Sequence, residues 1–288
     1  MPGLGSILTA MVTPFDADLR VDEEAAVALM HHLDEHGSDG LVVCGTTGEA
    51  STLTDEEHLR MIELAADEMD GRCTVVAGVG SNDTRHAVHL TERATELGAD
   101  ALLSVNPYYN RPSRRGIVRH YEEVAKATDK PILLYNIPQR TGSDMPNDLL
   151  AELAQIDGIA GVKQANPANL AKIDALMIYA GNDDMLVDVL ELGEPGGILV
   201  ASHFFGEEMR RMVDEPERRR EIDASLHDVY RDMSVVPLAV ATKAALGLLG
   251  LDVGGPRLPY VPPDERELEV LRAVLERHGL LSEASVRA

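Results

Sequence analysis

Across 288 residues the chain carries 49 acidic against 26 basic side chains, a formal net charge of -23, and a surface of that sign repels a nucleic-acid backbone or an anionic membrane. The length suits one α/β barrel with an appendage, since such barrels run to about 250 residues. No uncharged apolar run reaches the ~18 residues of a membrane span, and no basic leader precedes an apolar core at the N-terminus, so a cytoplasmic protein without membrane or nucleic-acid partners is expected.

Apolar, strand-like runs alternate with longer amphipathic stretches up to residue 206, and strands are expected at 7–12, 40–44, 74–77, 101–105, 132–135, 159–162, 177–180 and 197–200. Asp22 is placed to cap a helix running through Leu29 and Leu33 to Gly37, and Thr54 precedes Asp55, Glu56 and Glu57, whose charges suit a helix N-terminus. Asp83 or Thr84 opens the next helix, with Leu90, Ala94 and Leu97 on one face and Gly98 as its stop; Ser113 opens another. Eight strand–helix repeats imply a parallel (β/α)8 TIM barrel, because parallel strands need crossovers and repeated right-handed crossovers close a sheet.

From about Glu207 the strands cease. Helices are expected over 217–233, 235–249 and 264–278, with Pro256, Pro259, Pro262 and Pro263 breaking the chain between the last two. The expected division is a catalytic barrel over 1–223 and a C-terminal helical region over 224–288. Cys44 and Cys73 lie in or beside strand-like runs at no metal-ligand spacing, which points to buried, reduced thiols and no disulfide. The histidines form no metal pattern, and Gly78-Val79-Gly80 lacks the third glycine of a dinucleotide fingerprint. Neither a metal nor a nicotinamide cofactor is expected.

One lysine stands apart. The chain has five, at 126, 130, 163, 172 and 243; Lys126 and Lys130 close a polar helix, Lys172 falls in an expected helix, and Lys243 lies in an Ala/Leu-rich one. Only Lys163 ends an apolar strand, Ile159-Ala160-Gly161-Val162-Lys163-Gln164. A free lysine amine is almost wholly protonated at neutral pH and attacks a carbonyl only where burial or a nearby cation favours its neutral form. A lysine snorkelling from a strand end to solvent fits the same position.

Functional groups of such barrels gather beyond the C-terminal strand ends. There the chain places Gly45-Thr46-Thr47-Gly48-Glu49, suited to holding a carboxylate on hydroxyls and N–H groups, though an ordinary Gly/Thr turn has the same composition. Tyr108-Tyr109 follows the fourth strand and suits either a site or a subunit contact. Tyr135-Asn136-Ile137-Pro138 ends the fifth, where Tyr135 can act as general acid or base and Arg140 can fork onto a carboxylate.

In this order and spacing these motifs, with Arg140-Thr141-Gly142 and Gly161-Val162-Lys163, closely resemble the dihydrodipicolinate synthase/N-acetylneuraminate lyase family, over nearly the whole chain and including Pro256-Arg257-Leu258-Pro259. The resemblance implies that Lys163 forms an imine with pyruvate, needing no cofactor beyond that covalent link. It implies a proton relay of Thr46, Tyr135 and Tyr109, with Tyr109 reaching a neighbouring subunit's site. Thr47 would contact the pyruvate carboxylate, Gly181 and Ile198 would line the pocket, and the assembly would be a homotetramer built as a dimer of dimers.

Arg140 marks the synthase branch, in which its equivalent receives the carboxylate of aspartate semialdehyde on the route to diaminopimelate and lysine. The alternatives are a lyase or aldolase acting on N-acetylneuraminate or a 2-keto-3-deoxy sugar acid, and a non-catalytic paralogue that binds an oxo acid. Gln164 and Asn166 depart from the family's usual acidic residue and Ser/Thr, and Asn182 from the first aspartate of Gly-Asp-Asp. The family's feedback pocket for lysine falls near Ala50, Ser51, Asp55, His58, Asn82 and His86. His86 stands where sensitive members often carry glutamate, so weak or absent inhibition by lysine is expected.

Overall fold

The apolar runs pair side by side as eight parallel strands: β1 (Ile7–Ala10), β2 (Gly40–Val43), β3 (Thr74–Gly78), β4 (Ala101–Val105), β5 (Ile132–Asn136), β6 (Ile159–Gln164), β7 (Met177–Ala180) and β8 (Gly196–Leu199). Each bonds to the next and β8 returns to β1, which closes the expected (β/α)8 barrel. The computed structural model describes residues 3–281. Residues 282–288 of the expected C-terminal region lie outside the described residues.

Helices α1 (Glu23–Glu35), α2 (Asp55–Glu68), α3 (Thr84–Glu96) and α4 (Arg114–Lys126) begin where their caps were read. Asp22, Asp83 and Ser113 each accept a backbone N–H of the first turn, and Thr54 with Glu57 forms a reciprocal capping box. Around the second half of the barrel run α5 (Pro138–Thr141), α6 (Asn147–Leu153), α7 (Leu186–Glu191) and α8 (Ser202–Asp214). Three further helices follow: α9 (Arg219–Asp232), α10 (Leu238–Leu248) and α11 (Glu265–Arg277).

Several boundaries differ from expectation for local reasons. β1 ends at Ala10, and beyond it the chain is tied to the β2–α2 loop, the Thr13 hydroxyl donating to the Gly48 carbonyl at 2.6 Å. Helix α8 starts well before Glu207; Gly206 and a kink at Phe205 mask its pattern. Gly206 is required by proximity, since a Cβ there would sit 2.2 Å from the His36 carbonyl oxygen. Lys172 is not helical. It lies between a 3-10 turn opened by Pro167 and the Ile173–Leu176 bridge that leads into β7. Cys44 is buried, but Cys73 only half so, and both are free thiols.

Strand alternation sorts the side chains into two layers. Leu8, Val42, Val76, Leu103, Leu133, Tyr135, Tyr179 and Ile198 fill the barrel interior, while Leu41, Val75, Leu102, Leu134 and Val162 meet the helices outside. A third apolar cluster joins Ile7 and Leu199 to Phe205, Leu226, Ala241, Leu271 and Val274. The last helices thus share a core with the barrel wall, and α10 is held against the mouth. Among the described residues no helix is long and apolar enough to cross a membrane.

Candidate active site

The β5–β6 ladder sets the centre of the site. Register places Lys163 opposite Tyr135 on one side and Tyr179 on the other, and continues to Asn136 opposite Gln164. β6 therefore runs past Val162, and Lys163 is a strand residue pointing inward, not a snorkelling one: it is 5 % exposed. Its ammonium lies 4.7 Å from the centroid of the Tyr135 ring. Burial pulls its pKa down to about 8, with Asp183 opposing and Arg140 adding to the fall. Roughly a tenth of such an amine is neutral at pH 7, against about one part in 2,500 for free lysine.

Tyr135 is buried as well, which pushes its phenol up to about 12 although Arg140 and a hydrogen bond with the Thr46 side chain pull the other way. The β2–α2 loop brings Thr46 here by a sharp turn with left-handed Cys44 and Glu49 at its two ends. Thr47 is buried and Thr46 exposed. Arg140 stands in the single turn of α5, which Gly142 ends in a left-handed cap. Arg114 and Arg257 are committed to carboxylates, whereas Arg140 has no such partner among the described residues and faces a cavity.

That cavity has a volume of about 220 Å³ and gathers Thr46, Thr47, Tyr135, Arg140, Lys163 and Gly181. Gly181 lets the β7 end approach β6, since a Cβ there would meet Ala165 at 2.8 Å. Ile198 is not on the wall. It shares the inward face of β8 but lies fully buried one layer deeper, and Val200, itself mostly buried, lines the cavity in its place. Tyr109 is not brought in either: it is 88 % exposed with φ +70°, tied to the α5 loop by its N–H on the Thr141 carbonyl at 3.3 Å.

Sequence reasoning passed over several members of the site. Gln139, Val200, Leu238, Ala239 and Tyr260 line the wall together with Ile137 and Asn182, the latter noted above only as a departure. Asp183 is a half-buried carboxylate whose pKa desolvation raises, held by the Val200 and Ala201 N–H groups at 2.8 and 3.1 Å. The departures at Gln164 and Asn166 form one amide network: Gln164 Oε1 accepts from Asn136 Nδ2 and the Asn166 N–H, each at 3.0 Å, and Asp144 accepts from Asn136, Asn166 and Asn169. It pins the loops that follow β5 and β6.

Beyond Tyr135 and Arg140 a wider groove of about 520 Å³ extends to Ser51, Asp55, His58, His86 and Tyr108. His86 bridges Asp55 at 3.0 Å and the Ser81 hydroxyl at 3.2 Å, and His58 bonds the Gly78 carbonyl at 2.7 Å. Among the described residues no group of His, Cys, Asp and Glu could hold a metal ion. An amine with a raised neutral fraction, a phenol beside it, hydroxyls, and a guanidinium at the mouth can form an imine with an oxo acid and move protons around it.

Known proteins resemble this chain over nearly its whole length. The dihydrodipicolinate synthetase family pattern matches residues 3–278. A 4-hydroxy-tetrahydrodipicolinate synthase of Desulforudis audaxviator is 40% identical over 289 residues, 96% of this chain and 98% of that protein. A solved DHDPS from Cyanidioschyzon merolae with lysine bound superposes with a TM-score of 0.93 at 37% identity, covering 96% of this chain and 99% of that one. The dihydrodipicolinate synthase of Acinetobacter baumannii complexed with pyruvate gives 0.93 at 33% identity, with 97% and 100% covered.

Proposed function

The chain belongs to the dihydrodipicolinate synthetase family, lyases of the class I aldolase type, and within it we propose that this protein condenses pyruvate with L-aspartate semialdehyde, the 4-hydroxy-tetrahydrodipicolinate synthase reaction. The observation that carries the reading is the buried amine of Lys163 in a small cavity with an unengaged guanidinium, Arg140, on its wall.

The neutral amine attacks the pyruvate ketone, and loss of water leaves a protonated imine. The imine withdraws electrons, so the adjacent methyl loses a proton and the enamine carbon bonds to the aldehyde carbon. The amine of the second substrate then displaces Lys163 as the ring closes. Tyr135 and Thr46 shuttle the protons of these steps, Thr47 with its loop amides receives the pyruvate carboxylate, and Arg140 receives the carboxylate of the aldehyde. No separate cofactor is needed as an electron sink.

Tyr109 belongs to this scheme through assembly. An aromatic side chain in solvent on a left-handed backbone is costly unless something uses it. It reaches the relay of a second copy, in a dimer that pairs again into a tetramer. The test is turnover of pyruvate with L-aspartate semialdehyde, coupled to the following reductase, in wild type, Arg140→Ala and Lys163→Ala. Turnover lost in both variants, with borohydride trapping pyruvate on Lys163 in wild type and Arg140→Ala, supports the reading. Trapping without turnover in wild type moves the substrate to a sugar acid, and no trapping at all makes the chain a non-catalytic oxo-acid binder.

A further inference from the structure

The scheme above leaves unused the wall that the C-terminal region contributes. Behind the β2–α2 loop, Glu49 and Lys243 form an ion pair at 2.6 Å with side chains 0% and 1% exposed. The second carboxylate oxygen of Glu49 accepts the Arg257 N–H at 2.9 Å, and Lys243 donates to the Gly255 carbonyl at 3.2 Å. Lys243 and Arg257 both lie over the Phe15 ring, 3.9 and 4.1 Å from its centroid. Arg257 also forks onto Glu57 at 2.5 and 2.7 Å.

A buried ion pair is a poor source of net stability, because desolvation cancels much of the attraction, but it holds what it joins in one arrangement. Here it joins three walls of the cavity. They are the loop carrying Thr46 and Thr47, the first turn of α10 with Leu238 and Ala239, and the strap after α10 that ends in Tyr260. The Tyr260 N–H donates to the Arg257 carbonyl at 3.0 Å, so the latch fixes where Tyr260 stands.

The position of Tyr260 has a consequence for the second substrate. The inner cavity and the outer groove share a ring of five residues: Thr46, Tyr135, Ile137, Arg140 and Tyr260. Only Tyr260 comes from beyond the barrel, and Lys163 lines the inner cavity alone. A molecule that joins its aldehyde carbon to an enamine on Lys163 while its carboxylate rests on Arg140 lies in that ring.

We infer that Tyr260, held by the Glu49–Lys243–Arg257 latch, is a specificity-determining residue for the second substrate, its phenol donating to the same carboxylate that Arg140 receives. Guanidinium and phenol together select an anionic acceptor over a neutral polyol, since a neutral group leaves the guanidinium uncompensated. The inference rests on the synthase reading and assigns a further contact within it.

The test compares Tyr260→Phe and Tyr260→Ala with wild type in the coupled assay and in borohydride trapping of pyruvate, with thermal midpoints measured on each. Tyr260→Phe keeps the ring and removes the hydroxyl. It is expected to raise KM for the aldehyde about tenfold, the low end for a hydrogen bond to a charged group, while KM for pyruvate stays within about twofold and trapping is unchanged. An aldehyde KM that does not move in Tyr260→Phe overturns the inference, whether or not Tyr260→Ala responds. So does a parallel rise in KM for both substrates, which marks a general distortion of the site. Wild-type enzyme that traps pyruvate but rejects the aldehyde overturns the synthase reading itself, a result separable from silent Tyr260 variants of an active enzyme.

Discussion

Lys163→Met removes the amine that the proposed chemistry needs, and it is expected to make the fold more stable. The amine titrates at 10.5 when exposed and at about 8 in the fold. Between those values the unfolded chain binds more protons than the native one, so stability rises with pH there; below pH 8 the full penalty for burying the ammonium stands. At about 1.4 kcal/mol per pH unit the penalty at pH 7 is roughly 3 kcal/mol. Methionine fills similar volume without charge. Loss of the contact with the Tyr135 ring takes back about 1 kcal/mol, leaving a net gain of roughly 2 kcal/mol, or about 4 °C in thermal midpoint. Urea midpoints of wild type and variant at pH 7 and at pH 10.5 measure it, and the gain is expected to shrink almost to nothing at the higher pH. A variant no more stable than wild type at pH 7 refutes the reasoning. So does a gain that persists at pH 10.5, because packing rather than charge would then be its source.

Three further outcomes follow from the same geometry. Tyr135→Phe keeps the ring against Lys163 and removes the proton carrier, so turnover is expected to fall roughly 10²–10⁴-fold in the coupled assay; a fall of less than tenfold assigns the relay elsewhere. Lys243→Met leaves the Glu49 carboxylate buried without its cation, at a cost of about 3–5 kcal/mol in urea unfolding. The double variant Glu49→Gln/Lys243→Met recovers most of that loss, and strictly additive single losses would show that the two side chains do not act as a pair. Lysine is expected to inhibit weakly or not at all, since the groove offers it the imidazole of His86, already engaged by Asp55 and Ser81. A dose–response curve with inhibition at micromolar to low-millimolar lysine would contradict this.

The barrel was legible because its strands are buried on both faces and read as continuous apolar runs, with turn chemistry between them. Their ends were less so. β6 continues through Lys163 and Gln164 because Tyr135, Asn136, Tyr179 and Ala180 offer ladder partners, and a polar residue at a strand end carries no apolar signal. Helix α8 escaped for a related reason: Gly206 is dictated by contact with His36, a neighbour distant in the chain. The residue types at the strand ends pointed to Lys163, Tyr135, Thr46, Thr47 and Arg140, and the family resemblance to Gly181, all of which line the cavity. Neither carries depth, so Ile198, which the resemblance put on the wall, lies beneath a position that Val200 occupies. Asp183 was invisible because its partners, the Val200 and Ala201 N–H groups, belong to another strand end.

Charge shows the same division between what a composition decides and what a site decides. A net charge of -23 opposes any anion approaching from far away, yet at physiological salt that field decays over about 8 Å. Within that distance of the cavity the substrate meets Arg140 and Lys163, and Lys243 and Arg257 brace the wall behind, each of the last two already neutralised by Glu49 or Glu57. The acidic total that excludes a nucleic-acid polyanion, whose contact surface spans many Debye lengths, therefore places no bar on a small carboxylate. Such a ligand needs only one uncompensated guanidinium at close range. Arg140 meets that need because its neighbours on α5 include no acidic residue to pair with it.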